Sequence, residues 1–195
     1  LLYPQYSGDV EYRSYVQNKG WLGWVKNGTM SGTSGQGLRM EAVQIRLTGE
    51  MAKKYDIYYR VHTQDFGWLG WAKDGEKAGT AGYGKRLEAL EIRLVKDGEE
   101  APEQSGESYK YPLVTYSAHS QSIGWQATKW DNDIAGVTGK AKRLEAIKIQ
   151  IPDSEFDGGI EYRTFVQTYQ WQDWMRDGQI AGTTNQAKRV EAIQI

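Results

Sequence analysis

The sequence predicts an all-β protein built from tandem four-stranded repeats, and three observations lead to this prediction. All 8 Trp residues fall in pairs, 23 Gly residues punctuate the chain, and short runs alternate apolar and polar side chains. Alternation with a period of two is typical of half-buried strands, and frequent Gly is typical of turns. Trp and Gly enriched together therefore indicate many short strands whose aromatic rings supply much of the buried surface.

The Trp pairs mark four copies of one unit of about 46 residues. These pairs are Trp21/Trp24, Trp68/Trp71, Trp125/Trp130 and Trp171/Trp174. In every copy a Tyr lies nine residues before the first Trp, and a Gln lies four residues before it. The repeats are therefore placed at 1–47, 48–95, 109–151 and 152–195, with the polar, acidic segment 96–108 as a linker or long surface loop.

Each copy contains four predicted strands. The first is an alternating run, found at 10–17, 57–64, 114–121 and 160–167. The second carries the Trp pair and ends in a dipeptide suited to the positive φ of a tight hairpin turn, namely Asn27-Gly28, Asp74-Gly75 or Asp177-Gly178, whereas copy three has Asn132-Asp133. A short strand such as 77–80 and a Gly-rich loop follow. The last run, 86–94 in copy two, alternates Leu and Ile and is predicted to be a strand despite its helix-favouring Leu, Glu and Ala.

Units of this size suit several architectures. The predicted arrangement is a pseudo-symmetric body that resembles a β-prism or a β-trefoil. A small propeller and two separate bodies of two repeats each are the alternatives, because four copies do not fit a three-fold body.

Composition excludes several functional classes. The chain has 24 Lys+Arg against 25 Asp+Glu, so it lacks the basic excess expected of a nucleic-acid partner. Without Cys there is no disulfide, thiolate metal site or Cys nucleophile, and no apolar run is long enough to insert into a membrane. The chain begins with Leu and shows no signal-peptide pattern, so it is expected to be part of a longer protein.

The repeat unit resembles the ChW repeat, the clostridial hydrophobic repeat with a Gly-Trp signature. Copy two carries the pattern best, at Gly67, Trp68, Trp71, Gly75, Gly79, Thr80, Gly82, Arg86, Leu87, Glu88, Ala89, Ile92 and Leu94. Copy three departs at Val137, and copy four departs at Gln170 and Asn185. The resemblance covers nearly the whole chain outside 96–108. It implies a secreted or cell-surface protein of Gram-positive bacteria in which such repeats accompany hydrolase or adhesion modules. The family pattern supplies no catalytic motif.

The second Trp of each copy is the first candidate binding residue. Two Trp residues three positions apart on a strand are predicted to lie on opposite faces, and the offset of five in copy three preserves that parity. One interpretation is that the second Trp packs against a neighbouring repeat. The other is that it forms an exposed platform for a sugar ring or a protein. These candidates are Trp24, Trp71, Trp130 and Trp174.

A recurrent Gln gives a second set of candidates, since its amide both donates and accepts hydrogen bonds and so suits a hydroxyl-rich ligand. The set is Gln17, Gln64, Gln121 and Gln167. The alternative is a backbone bond that closes the loop before Gly-Trp. His62 and His119 fall where the other copies have Tyr15 and Phe165, which indicates an aromatic packing position and not a metal site.

The recurrent Arg-x-Glu pair is predicted to be structural. Strict alternation places it on the core face, so either a bulge near the following Ala reverses the direction, or the pair is partly buried beside the Gly-rich loop. The pairs are Arg39/Glu41, Arg86/Glu88, Arg143/Glu145 and Arg189/Glu191.

The sequence thus predicts a non-catalytic module that binds a polysaccharide or a glycoprotein glycan through recurring aromatic sites. No nucleophile–base pair, carboxylate dyad or metal cluster recurs, so neither enzymatic activity nor a cofactor is expected. A protein-binding adhesin that recognises a host or surface protein, and a structural spacer without a ligand, are the alternatives.

Overall fold

The computed structural model describes residues 6–152 and 158–195, and these residues confirm an all-β chain. The chain divides into two units, Leu1–Tyr111 and Pro112–Ile195, each of which contains two repeats. The sheets stay open in the described residues, so a closed prism- or trefoil-like body is not confirmed. No helix in the described part of the chain is long and apolar enough to cross a membrane.

Unit 1 contains the strands of repeats 1 and 2. Repeat 1 forms β1 (Val10–Val16), β2 (Gly20–Trp21), β3 (Val25–Lys26) and β4 (Met40–Leu47). A single 3-10 turn at Met51–Lys53 leads into repeat 2. Repeat 2 forms β5 (Tyr55–Thr63), β6 (Gly67–Trp68), β7 (Ala72–Lys73), β8 (Ala78–Thr80) and β9 (Leu87–Lys96), and β10 (Tyr109–Lys110) follows.

Unit 2 repeats this order. Repeat 3 forms β11 (Thr115–Ser120), β12 (Gly124–Trp125), β13 (Lys129–Trp130) and β14 (Leu144–Gln150). Repeat 4 forms β15 (Glu161–Val166), β16 (Gln170–Trp171), β17 (Met175–Arg176), β18 (Ala181–Gly182) and β19 (Val190–Gln194). In every repeat the first long strand lies in the middle. It pairs antiparallel with the last strand on one edge and with the two short strands of the Trp-pair region on the other.

The Asn/Asp position directly after the second short strand of each repeat has a clear structural role. Asn27, Asp74, Asp131 and Asp177 all have positive φ, as the turn prediction requires for the three copies that have Asn-Gly or Asp-Gly. In each repeat the side-chain oxygen also accepts the N–H of a residue at the start of the first strand, for example Ile57 N–H to Asp74 Oδ1 at 2.9 Å. The predicted hairpin is wrong, however, because β3 and β7 pair with the first strand of their repeat and not with the short strand that follows.

The short strand of an even repeat instead joins the sheet of the odd repeat before it. β8 pairs with β4, and β18 pairs with β14, both antiparallel. This strand addition buries the last strand of the odd repeat and brings the aliphatic side chains of both repeats into one core. Tyr59 and Tyr162 are completely buried there, and each phenol donates to the carbonyl of a residue just before the short strand, Glu76 or Gln179.

The second half of segment 96–108 lies against repeat 2. The Gln104 side chain accepts the N–H of Trp71 at 3.1 Å and donates to its carbonyl at 2.9 Å. The Gly70 N–H donates to the Glu107 carbonyl, and β10 adds parallel to β8. The end of this segment is therefore fixed on unit 1 before the chain continues into Pro112.

Candidate functional site

An arginine lies between the two Trp rings in three of the four repeats. The Arg60 guanidinium carbon is 4.9 Å from the Trp68 ring centroid and 4.8 Å from that of Trp71. The same arrangement is formed by Arg13 with Trp21 and Trp24, and by Arg163 with Trp171 and Trp174. A cation over two indole faces is attracted by both rings, so the three side chains form one stack.

The last strand fixes the orientation of each arginine. Its Nε donates to the side chain directly opposite on that strand, at 2.6–2.7 Å. The acceptors are Gln44 for Arg13, Glu91 for Arg60 and Gln194 for Arg163. A guanidinium held at its edge keeps its flat faces free for the rings, which makes the stack a fixed part of the sheet.

The prediction that the two Trp rings lie on opposite faces is therefore wrong for these three repeats. The alternation argument assumed one continuous strand through the pair. In repeat 1 β2 ends at Trp21, and β3 begins only at Val25. The irregular residues between the two short strands reset the parity, so that both rings return to the side of the sheet where Arg13 lies.

Repeat 3 has lost both the arginine and the usual second Trp. Ser117 stands in the arginine position, and Thr128 stands where the other copies have Trp. Trp130 pairs opposite Thr115, which is the place that Lys26 occupies opposite Glu11 in repeat 1. The missing side chains leave a groove of about 240 Å³ that Ser117, Thr128, Lys148 and Gln150 help to line.

The four second Trp residues are not equally accessible. The prediction of an exposed platform is wrong for Trp71, which is only 4% exposed. The Gln104 side chain hydrogen-bonds to both the N–H and the carbonyl of Trp71. Trp174 is the more exposed of the remaining three, at 50%, and Trp24 and Trp130 have intermediate exposure. Whether any of them binds a ligand stays a prediction.

The first Trp of each repeat packs edge-on against a ring of the first strand, with centroids 5.4–5.6 Å apart. These rings are Tyr15, His62, His119 and Phe165. The interpretation of this position as an aromatic packing site is confirmed.

The first Trp residues of the even repeats are exposed, which sequence reasoning missed. Trp68 is 44% and Trp171 is 38% exposed, and each follows another exposed ring, Phe66 or Tyr169, by two residues. In repeat 4 an open groove of about 510 Å³ is lined by Tyr169, Trp171, Gln172, Asp173, Met175, Thr183 and Gln186. The sequence did carry a signal for these exposed aromatic pairs. The even repeats have an aromatic residue two positions before the first Trp, whereas the odd repeats have Lys19 and Ile123 there.

The predicted Gln residues lie at the end of the first strand. In each repeat the Gln backbone N–H donates to the carbonyl of the recurrent Arg directly before the last strand, at 2.9–3.0 Å. These residues are Gln17, Gln64, Gln121 and Gln167. The Gln64 side chain also accepts from Arg86 Nη1 at 3.1 Å. A backbone bond thus closes this end of the strand pair in all four copies, and a ligand role for the Gln side chains stays a prediction.

The recurrent Glu lies on a β-bulge in every repeat. In repeat 1 Tyr15 faces Ala42 and Val16 faces Met40, which leaves Glu41 as the extra residue, and the other three copies show the same shift. The bulge interpretation is confirmed. The Arg two positions earlier contacts each carboxylate at 2.7–2.9 Å.

Repeat 3 places this pair in a polar cleft of about 420 Å³. His119 Nδ1 lies 3.1 Å from Glu145 Oε2, and Gln121 and Arg143 line the same cleft together with Asn185 of repeat 4. One predicted Gln is thus brought beside the Arg–Glu pair, although none of the second Trp residues lines this cleft.

Burial by repeat 2 raises the pKa of the Glu41 carboxyl above its usual range, and the Arg39 guanidinium opposes this effect. Because the folded-state pKa is raised, the stabilisation that Glu41 contributes is fully present below its unfolded-state pKa and is lost as the pH rises through the folded value. As the pH rises above about 4, the ordinary range of a Glu carboxyl, and through the raised folded-state pKa of Glu41, the wild type should therefore lose unfolding free energy relative to Glu41→Gln. Urea unfolding at several pH values measures this, and a relative gain with rising pH would contradict it.

The four-fold unit agrees with a known family profile. The ChW profile, Clostridial hydrophobic W, matches residues 15–49, 62–96, 119–153 and 165–195. The chain belongs to the ChW family. Each ChW match begins at the ring that packs on the first Trp, so the stacking arginines Arg13, Arg60 and Arg163 lie two residues before it. Neither a curated protein nor a solved structure matches this ChW chain.

Proposed function

We propose that this ChW chain is a non-catalytic, extracellular binding module that holds glycans on the exposed aromatic surfaces of its even repeats. The groove beside Trp171 carries the proposal. Tyr169 and Trp171 offer exposed ring surface there, and Gln172, Asp173 and Gln186 line the same space. Ring faces pack on the C–H faces of a sugar, while amide and carboxylate groups bond to its hydroxyls.

Repeat 2 supplies a second surface of related composition. Phe66 and Trp68 are exposed, and Phe66 packs edge-on with Tyr83 at 5.2 Å. Two shallow sites on one chain suit a polymeric glycan, because a repeating ligand gains avidity from both sites. A polysaccharide of a cell surface, met by a secreted or surface-attached protein of a Gram-positive bacterium, is the proposed setting.

The acidic residues support a non-catalytic role. The Glu that recurs in all four copies is engaged by its neighbouring Arg and serves the bulge. Glycoside hydrolysis needs two positioned carboxyl groups, and no second acid recurs with this Glu.

The test is binding to an array of immobilised polysaccharides, followed by affinity measurement on the best ligand. Alanine at both Trp68 and Trp171 should weaken binding about 30-fold, the effect of losing a hot spot of about 2 kcal/mol. Ile123→Ala is the control, since it also truncates an exposed apolar side chain, two residues before the first Trp of repeat 3 and outside the even repeats. The control should leave the affinity unchanged.

Two outcomes would overturn the proposal. Unchanged affinity in the double Trp variant would exclude the even-repeat surfaces as the glycan-binding sites. Loss of affinity with Trp174→Ala alone would assign the site to the second Trp of the repeat. Binding to no glycan, together with capture of a defined surface protein, would favour the adhesin. Binding to neither would favour a spacer.

A further inference from the structure

In each unit one short strand of the even repeat is added to the edge of the odd repeat's sheet. In unit 1 Gly79 of β8 lies opposite Ala42 of β4, and Ala78 lies opposite Val43. Unit 2 repeats this pairing between β18 and β14, with Gly182 opposite Ala146 and Ala181 opposite Ile147. We call the short strand the donor and the receiving edge the acceptor.

The donor glycine is required by close approach of the two backbones. Gly79 and Gly182 have φ of +128° and +110°. A Cβ on either would lie 2.6 Å from the Cα of the Ala opposite, which no side chain tolerates. The Gly therefore identifies a donor segment.

The odd repeats carry the same donor without an acceptor. Gly32 and Gly136 have φ of +120° and +111°, as in the paired donors. Neither belongs to a strand among the described residues. A Cβ on Gly32 would meet only the flexible Met40 Cε, at 3.2 Å, and one on Gly136 would meet nothing within 4 Å. Met30, two residues before Gly32, is 66% exposed, so apolar surface accompanies this free donor.

Repeat 2 carries the matching acceptor without a donor. Within the described residues of unit 1, β9 pairs only with β5. Leu90, Ile92 and Leu94 are 45–50% exposed, whereas their counterparts on β4 are buried beneath repeat 2. Leu90 and Ile92 also line an apolar groove of about 320 Å³, and the equivalent residues of unit 2 line one of about 540 Å³.

We propose that the free acceptor edge of β9 binds the free donor around Gly32 of a second copy of this chain, which gives head-to-tail association. The interface continues one that the chain already forms twice, with the same residue types in the same register. Residues 48–54 lead directly from β4 into its donor repeat, whereas no such connection follows β9, because β10 is fastened to β8. The donor and the acceptor are different segments of the chain, so a single contact between two copies leaves a donor on one copy and an acceptor on the other free to bind further copies.

The register follows from the pairs already present. Gly32 of one copy should lie opposite Ala89 of the next, and Ser31 should lie opposite Leu90, as Ala78 lies opposite Val43. Facing residues of an antiparallel pair have Cα atoms about 4.5–5.5 Å apart, which is within the range of a disulfide. The chain has no Cys, so an introduced pair reports this contact alone.

The experiment mixes two purified single-Cys variants, Leu90→Cys and Ser31→Cys, under mild oxidation. A covalent dimer should form in the mixture and not with either variant alone, and its yield should rise with protein concentration. Adding Gly32→Ala to the Ser31→Cys chain should lower the yield at least about tenfold, because its methyl group would collide with the acceptor strand. Gly35→Ala is the matched control, since Gly35 also has positive φ, +70°, and has no neighbour within 4 Å of a Cβ.

Equal yields with Gly32→Ala and Gly35→Ala would overturn the proposal, as would the absence of a mixed dimer at high protein concentration. A chain with both Leu90→Cys and Ala135→Cys tests the other source of a donor. If it closes within a single molecule while the mixture gives no dimer, the occupant is the chain's own repeat 3 and the proposed second copy is wrong.

Discussion

Gly79→Val should destabilise unit 1 by about 2–5 kcal/mol, the combined cost of a strained backbone and of overpacking. The valine Cβ would lie 2.6 Å from Ala42 Cα and closer still to the Glu41 carbonyl oxygen. A β-branched side chain is also disfavoured at φ +128°. Relief requires that β8 leave the edge of β4, which exposes Val43 and Ile45 of the shared core.

Urea unfolding followed by Trp fluorescence measures this loss, at low protein concentration so that association does not contribute. Gly32→Val is the matched control, because Gly32 shares the backbone conformation but has only a flexible methionine methyl group nearby. The control isolates the strain, and the difference between the two variants isolates docking of the donor strand. Equal losses would show that the β4–β8 contact contributes little to stability.

Trp71→Ala should lower the unfolding free energy by about 3–5 kcal/mol, the usual cost of truncating a buried Trp. Trp71 is 4% exposed and packs on the Arg60 guanidinium on one side of the stack. Arg93 lies 5.0 Å from its ring centroid as well. The truncation leaves a cavity beside the Arg60 and Arg93 guanidinium groups. The free energy of burying the indole ring and its cation–π attraction to both cations are therefore lost together.

Trp174→Ala is the matched control for this change. It removes the same side chain from the same position of repeat 4, where the ring is half exposed and lies 4.7 Å from Arg163. The expected loss is about 1–2 kcal/mol, from partial burial and one cation–π contact. Similar losses for both variants would mean that the segment around Gln104 does not protect Trp71 in solution.

Local pattern was sufficient to predict most of the repeat. Alternation in the first and last strands predicted a sheet, and the four-fold recurrence fixed the equivalent positions. The conflict between alternation and the Arg-x-Glu pair led to the bulge that the structure contains at Glu41 and its counterparts. Each of these features depends on residues close in the chain or directly across one strand pair.

The orientation of the Trp rings was not predictable in the same way. It depends on the irregular residues between β2 and β3 and on Arg13, which is brought between the rings only when the sheet forms. The arginine is itself a recurrent residue, and its absence from repeat 3 together with the second Trp was visible in the sequence. That joint loss was the available signal for a contact between them.

The sequence by itself determined four all-β ChW units, the first and last strand of each unit and the positions of the Trp pairs. Tertiary structure alone decided which copies bury their surfaces. Val43 and Leu90 occupy the same position of the repeat, yet Val43 is buried and Leu90 is half exposed. The difference arises because repeat 2 adds its short strand to β4, whereas no strand of the described unit adds to β9. Burial is a property of what packs on a residue, and a repeated sequence cannot specify which copy receives a neighbour.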